Sequence, residues 1–266
     1  MEFFNAALLG VVQGLTEFLP ISSTAHLILG ARMLGFQDPG GVFTVMIQLG
    51  AILAVIWLYR AKVLSVVLGL PTQPEARRFA ALLLIGFLPA LVSGALFSDY
   101  ITQVLYYSPR VIAAAFILGG VVMLLVERMR ARPTVTNIDS MPFSKALAVG
   151  VAQMLALVPG VSRSGATIVG GLLSGLDRTT AAEFSFFLSM PTMTAAFVHG
   201  LWGVRHDLST ARAGEIGIGF VMAFIAALLV VRPFLRYVGR SGFAPFAWYR
   251  ISVGAALALA IAAGWL

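Results

Sequence analysis

Long apolar runs separated by short polar ones organise this chain. Six runs, at about 42–59, 79–97, 110–127, 182–202, 215–232 and 247–265, are long enough as helices to cross about 30 Å of hydrocarbon. Two other stretches break the pattern. Residues 2–18 run into Pro20, and the apolar segment after it, 24–35, is too short to span at about 1.5 Å per residue. The same happens at 146–158 and 164–175, interrupted by Pro159-Gly160. Each pair predicts a re-entrant helical hairpin that enters the membrane and returns to the same side. The expected fold class is therefore all-α: a polytopic membrane protein with about six transmembrane helices plus two re-entrant hairpins, in a single membrane domain over 1–266.

Composition agrees with a bilayer as solvent. Of the 266 residues, 59% are hydrophobic and 11% charged, far below the roughly quarter-charged norm of soluble domains. The net charge of +7 does not read as a nucleic-acid footprint, because the basic residues lie mostly between apolar runs. Arg60, Lys62, Arg77 and Arg78 fall in a loop at 60–78; Arg128, Arg130, Arg132 and Lys145 at 128–145; Arg232, Arg236 and Arg240 at 232–240. The positive-inside rule places all three in the cytoplasm, and both termini and the loops near 98–109 and 203–214 outside. Arg205 and Arg212 are the two positive charges that run against this assignment. Residues 1–20 carry Glu2 and Glu17 and no basic stretch, so a cleaved signal peptide is not expected. The absence of cysteine excludes disulfides and thiol chemistry.

Residues 10–30 match 150–170 at a constant offset of 140, through Gly10/Gly150, Val11/Val151, Gln13/Gln153, Leu15/Leu155, Ser22/Ser162, Ile28/Ile168 and Gly30/Gly170. Arg110 and Arg250 share that offset. Repeats of about 1–135 and 141–266 follow, each with one hairpin and three spans. An odd number of spans inverts the second half, so one hairpin enters from each face and the tips meet near the midplane.

The two tips hold the candidate chemistry. Gln13 and Glu17 lie four apart on one helix face, and a carboxylate within an apolar segment marks a functional site by default. Beyond Pro20, the run Ser22, Ser23, Thr24, Ala25, His26 suits a helix start, whose free N–H groups attract anions. Ser23 and His26, three apart, read either as a nucleophile beside its base or as a cap and a hydrogen-bonded core histidine. In the second tip, Ser162 and Ser164 flank Arg163, with Thr167 one turn on, and a guanidinium fork matches phosphate oxygens. Arg163 either pairs with Glu17 as structural glue or joins the serines in a diphosphate cradle. Gln48, Glu183 and Ser185 on neighbouring spans are supporting candidates; Asp139 reads as a loop residue, and His199 and His206 as interfacial.

GVVQGLTEFLPISSTAHLIL and PGVSRSGATIVGGLLSGLDRTTAAEFSFFLSMPT resemble the two signature motifs of the bacterial undecaprenyl-diphosphate phosphatase family, also called bacitracin-resistance proteins. The resemblance extends along the whole chain. It implies hydrolysis of undecaprenyl diphosphate to monophosphate and phosphate, recycling the cell-wall lipid carrier, in a multi-pass protein of the bacterial inner membrane whose site opens outward. By position, Glu17, Ser23, His26 and Arg163 match the family's catalytic residues, with Ser22, Thr24, Ser162, Ser164 and Thr167 binding phosphate around them. A divalent cation, Mg or Ca, would involve Glu17; Gln13 stands where many members carry Glu. Asp139 falls near a family acidic position. The expected partners are the polyprenyl diphosphate and membrane lipids, with no nucleic acid, and a homodimer is compatible with the pattern. Within the site, Ser23 attacks with His26 as base, or His26 itself attacks or activates water. The competing function is a lipid-phosphate flippase or anion transporter, since inverted repeats with broken helices also build transporters.

Overall fold

Proline sets the first break in the chain, and the second repeats it. The computed structural model describes residues 1–100, 108–129, 132–206 and 212–264. α1 (Glu2–Phe18) ends where Leu19 turns extended, as the residue before a proline tends to do, and α2 (Ser23–Leu34) follows. Likewise α7 (Phe143–Met154) passes through a short 3-10 turn to an extended Val158 before Pro159, and α8 (Arg163–Leu173) follows. Ser22 (φ 69°) and Ser162 (φ 73°) precede these second helices, the two non-glycine residues at positive φ among the described residues. The offset that pairs the serines in sequence thus pairs an uncommon backbone conformation in space.

The expected spans are helices: α3 (Val42–Leu58), α5 (Pro74–Tyr100), α6 (Pro109–Met129), α9 (Arg178–Val204), α10 (Ala213–Ser241) and α11 (Ala244–Ala262). Asp38 accepts from Phe43 and Thr44 N–H at the start of α3, and Asp177 from Thr180 N–H at the start of α9, satisfying donors that a helix start leaves free. Among the described residues, five helices are long and apolar enough to cross a bilayer, or six if α3 and the next helix count as one bent span. Leu118, Leu229 and Leu259 stand exposed on these helices, where lipid and not water is the fitting neighbour. The chain is an all-α integral membrane protein.

Two expected loops differ. Residues 60–78 contain α4 (Arg60–Gly69), bent 77° from α3, and the start of α5. Nothing in Ala61–Leu68 breaks a helix, so the chain turns at Tyr59 and continues helical. Residues 232–240 are not a loop at all, because α10 runs on to Ser241 through Pro233 and carries Arg232, Arg236 and Arg240 on its last turns. Hydropathy marks where a helix leaves lipid, not where it stops. The loops near 98–109 and 203–214 fall partly outside the described residues, as does Arg130. Arg212 pairs with Glu215 at 2.7 Å, and Arg205 lies 4.5 Å over the Trp202 ring, so the first of these two charges is balanced and the second is held against an aromatic ring.

Packing follows a pairwise pattern. α1 lies on α10 as α7 lies on α5; α3 meets α10 as α5 meets α9; α3 meets α9 and α6 meets α11. The first two contacts are backbone to backbone: a Cβ on Gly10 would overlap the Gly219 carbonyl, and one on Gly150 the Gly86 carbonyl. Close approach through small residues is how helices associate where lipid removes a hydrophobic drive. Gly150→Ala must therefore push α7 off α5, at about 1–3 kcal/mol for overpacking. A lowered thermal unfolding midpoint in detergent is the expected result.

Candidate active site

The two breaks face one cavity of about 440 Å³, walled by Glu17, Ser22, Ser23 and Thr24 from the first and by Pro159, Gly160, Ser162 and Arg163 from the second. α5 and α9 close the remaining sides with Phe87, Ala90, Thr192 and Met193. Polar side chains are thereby gathered inside an apolar bundle, where each needs a partner.

Glu17 is the hub. Its Oε2 accepts from Ser23 Oγ at 2.6 Å and from Gln13 Nε2 at 3.0 Å, while its Oε1 accepts from Arg163 Nη2 at 3.1 Å. One carboxylate from the first tip thus holds the hydroxyl beside it and the guanidinium of the opposite tip. Arg163 is steered further by Nη1 donating to the Ser185 carbonyl at 3.1 Å. Its Nε is buried without a partner among the described residues. Both readings of Arg163 are therefore compatible with one geometry: it pairs with Glu17, and it stands on the cavity wall.

The tips also bond directly. Ser164 Oγ donates to the Leu19 carbonyl at 2.7 Å and meets Ser162 Oγ at 3.1 Å; Ser162 Oγ accepts from Gly165 N–H at 3.1 Å. Ser164 is therefore a tie between tips and is not on the cavity wall. Thr167 lies behind Arg163, donating to its carbonyl at 2.9 Å and meeting Ser185 Oγ at 2.7 Å. These two expected phosphate ligands support the wall from behind, because each sits on the face of α8 turned toward protein. Ser22, Thr24 and Ser162 do reach the cavity. The first-turn N–H groups of α2 and α8 have no intrahelical acceptor, and of these Gly165 N–H is taken by Ser162 Oγ.

His26 takes one of its two expected readings, that of a hydrogen-bonded histidine. Its Nδ1 is 2.8 Å from the Ser22 carbonyl, which requires the proton on Nδ1, and its Nε2 then accepts from Tyr249 OH at 2.6 Å. Both ring nitrogens are engaged and the ring stacks on Tyr249, so the Ser23–His26 pair is not made. Three-residue spacing put them on adjacent faces, but Ser23, in the first turn of α2, turns back to Glu17. Glu17→Gln, which keeps a hydrogen-bond acceptor for Ser23 but has no basic carboxylate to take its proton, is expected to reduce turnover at least about tenfold more than His26→Gln. Steady-state kinetics of the two purified variants measures this directly.

Among the remaining candidates, Gln48 lines the cavity and Ser185 holds Arg163. Glu183 does not join them; it meets Tyr59 OH at 3.5 Å. Asp139 pairs with Lys62 at 2.8 Å, away from the cavity. Gln153, Thr192 and His199 were not expected and line the wall. Gln153 stands 140 residues after Gln13, the offset that relates the two motifs in sequence, which was the available signal for it. His199 belongs inside α9 and was hidden by its place near the end of a long apolar run.

Glu17 is the one carboxylate on the cavity wall, and both of its oxygens are taken. Among the described residues no group of three acidic or histidine side chains is arranged to hold a metal. A cation held by side chains of the protein alone would be short of ligands here.

The model of the bacitracin resistance protein BacA family matches residues 6–256. The chain belongs to that family. Members similar to it include an undecaprenyl-diphosphatase of Paracoccus denitrificans, 52% identical over 98% of this chain and 97% of that protein. An undecaprenyl-diphosphatase 1 of Agrobacterium fabrum is 51% identical over 96% and 95%, and one of Phenylobacterium zucineum is 52% identical over 96% of each. The bacitracin resistance family match covers both tips and every helix that lines the cavity.

Proposed function

We propose that this chain hydrolyses the terminal phosphate of a polyprenyl diphosphate, undecaprenyl diphosphate in the cell, and so returns the lipid carrier to cell-wall synthesis and withstands bacitracin. The observation that carries this reading is the Ser23 hydroxyl on Glu17, with Arg163 of the other tip on the same carboxylate, at the wall of an intramembrane cavity. A transporter needs the arginine and the helix starts. It has no use for a hydroxyl held on a carboxylate.

The terminal phosphate enters between the tips, and Arg163 exchanges Glu17 for phosphate oxygens, leaving that carboxylate free to act. Ser23 Oγ attacks the terminal phosphorus while Glu17 takes its proton. The bond from phosphorus to the bridging oxygen breaks, and the lipid monophosphate leaves with the proton that Glu17 had taken. Water then attacks the phosphoserine, giving its proton to Glu17, and Ser23 Oγ departs and is reprotonated. Arg163 and the first-turn N–H groups stabilise charge on the transferring phosphoryl group, the main contribution in such chemistry. Gln13 fixes the carboxylate, and His26 holds the Ser22 turn.

The inverted repeat is part of this proposal. It is supported by the paired positive-φ serines and the matching contacts of α1 on α10 and α7 on α5. An outward opening is supported by the wall residues Gly94, Ala95 and His199, which sit toward the ends of α5 and α9 opposite the basic ends of the bundle. An apolar groove of Met190, Pro191, Val198 and Trp202 shares Phe87, Ala195 and His199 with the cavity and suits a polyprenyl tail. Purified protein in detergent, where no gradient exists, is expected to release phosphate from undecaprenyl diphosphate. Binding without release would favour transport.

A further inference from the structure

Arg250 of α11 is 1% exposed and has no carboxylate partner among the described residues. Its guanidinium donates instead to four carbonyls. Nη1 reaches Pro20 O at 3.1 Å and Val161 O at 2.8 Å; Nη2 reaches Gly160 O at 3.0 Å and Ala115 O of α6 at 2.9 Å. The Phe116 ring lies 5.4 Å beneath it. Leaving a buried cation without an anion is costly, so this arrangement needs a return that packing alone does not supply.

We propose that Arg250 is a positioning residue that sets the two tips relative to each other, and with them the phosphate donors of the site. Three of its carbonyls belong to the tips, within two residues of Ser22 or Ser162. In a trans peptide the carbonyl and the following N–H point in opposite directions. Pinning Val161 O therefore fixes the direction of Ser162 N–H, at the start of α8. Pinning Pro20 O and Gly160 O fixes the planes that lead into the turns at Ser22 and Ser162. Only a planar fork reaches carbonyls from both tips and α6 at once; a lysine is a single point donor. The neighbouring Tyr249 holds His26, so two consecutive residues of α11 brace both the start of α2 and the meeting of the tips. The uncompensated charge also lies beneath the tips, where a diphosphate would balance it.

The proposal rests on the phosphatase reading for its kinetic effect but not for its structural one, and both are measurable. Arg250→Lys keeps the charge and loses the fork. Gly119→Ala keeps the arginine and displaces it, since a Cβ there would overlap Arg250 Nη2, the far end of a flexible side chain. Amide hydrogen exchange in detergent is expected to speed up at least tenfold over residues 22–26 and 162–166 in both variants, with α3 and α9 unchanged. The turnover number on undecaprenyl diphosphate should fall at least 30-fold while KM stays within threefold, because the donors are misaimed rather than removed. Should Arg250→Lys fail to fold, Gly119→Ala decides. Unchanged exchange at the tips, or exchange rising uniformly along the chain, would overturn the proposal. Faster exchange at the tips in a protein that releases no phosphate even as wild type would leave Arg250 in place and remove the phosphatase reading instead.

Discussion

Ser23→Ala is expected to lower phosphate release by at least about 10⁴-fold, the scale seen when a hydrolase loses its nucleophile, while the substrate still binds. The reason is local. Ser23 Oγ sits 2.6 Å from Glu17 Oε2, and it is the hydroxyl on the cavity wall that Glu17 accepts from. Alanine removes the attacking atom but leaves Arg163, Gln13 and the helix starts in place. Binding of the diphosphate should therefore persist, and single-turnover quench with radiolabelled undecaprenyl diphosphate separates the two effects. The relieved carboxylate loses one donor of three, so the fold is not threatened. A variant within tenfold of wild type would remove the serine route and return the nucleophile to His26 or water.

Arg163→Lys is expected to cost about 10³-fold or more in turnover, in line with arginines that stabilise transferring phosphoryl groups. Lysine retains the charge, so the comparison isolates the fork. Arg163 divides its nitrogens between Glu17 and the Ser185 carbonyl, which holds the guanidinium plane toward the cavity. A lysine can meet Glu17 but cannot hold both contacts and two phosphate oxygens. The loss should appear mainly in the turnover number. An Arg163→Lys enzyme with near-normal turnover and raised KM would assign the residue to uniform binding.

Much of this arrangement was legible in the sequence because the membrane limits what a polar side chain can do. Glu17 and Arg163 stood out as charges in apolar segments, and the structure joins them across the tips at 3.1 Å. Proline and serine signalled both breaks, which appear at Leu19–Ser22 and Val158–Ser162. What was not legible depends on direction rather than spacing. Ser23 and His26 are close in sequence, yet one side chain reaches Glu17 and the other Tyr249. Ser164 and Thr167, three apart on α8, share a face turned toward protein, whereas Ser162 precedes the helix and reaches the cavity. Arg250 was visible as an arginine inside a span, but its four partners are backbone carbonyls, which leave no trace in side-chain patterns. The α4 bend and the length of α10 escaped because hydropathy reports the solvent of a segment and not its hydrogen bonds.

The central claim is that both tips act on one phosphoryl group. A structure of the protein with orthovanadate, a mimic of the transferring phosphoryl group, tests it most directly. The expected result is vanadium bonded to Ser23 Oγ, with its oxygens held by the Arg163 guanidinium and by N–H groups at the starts of α2 and α8. Vanadate bound at one tip alone, or held by His26 with Ser23 still on Glu17, would contradict the account.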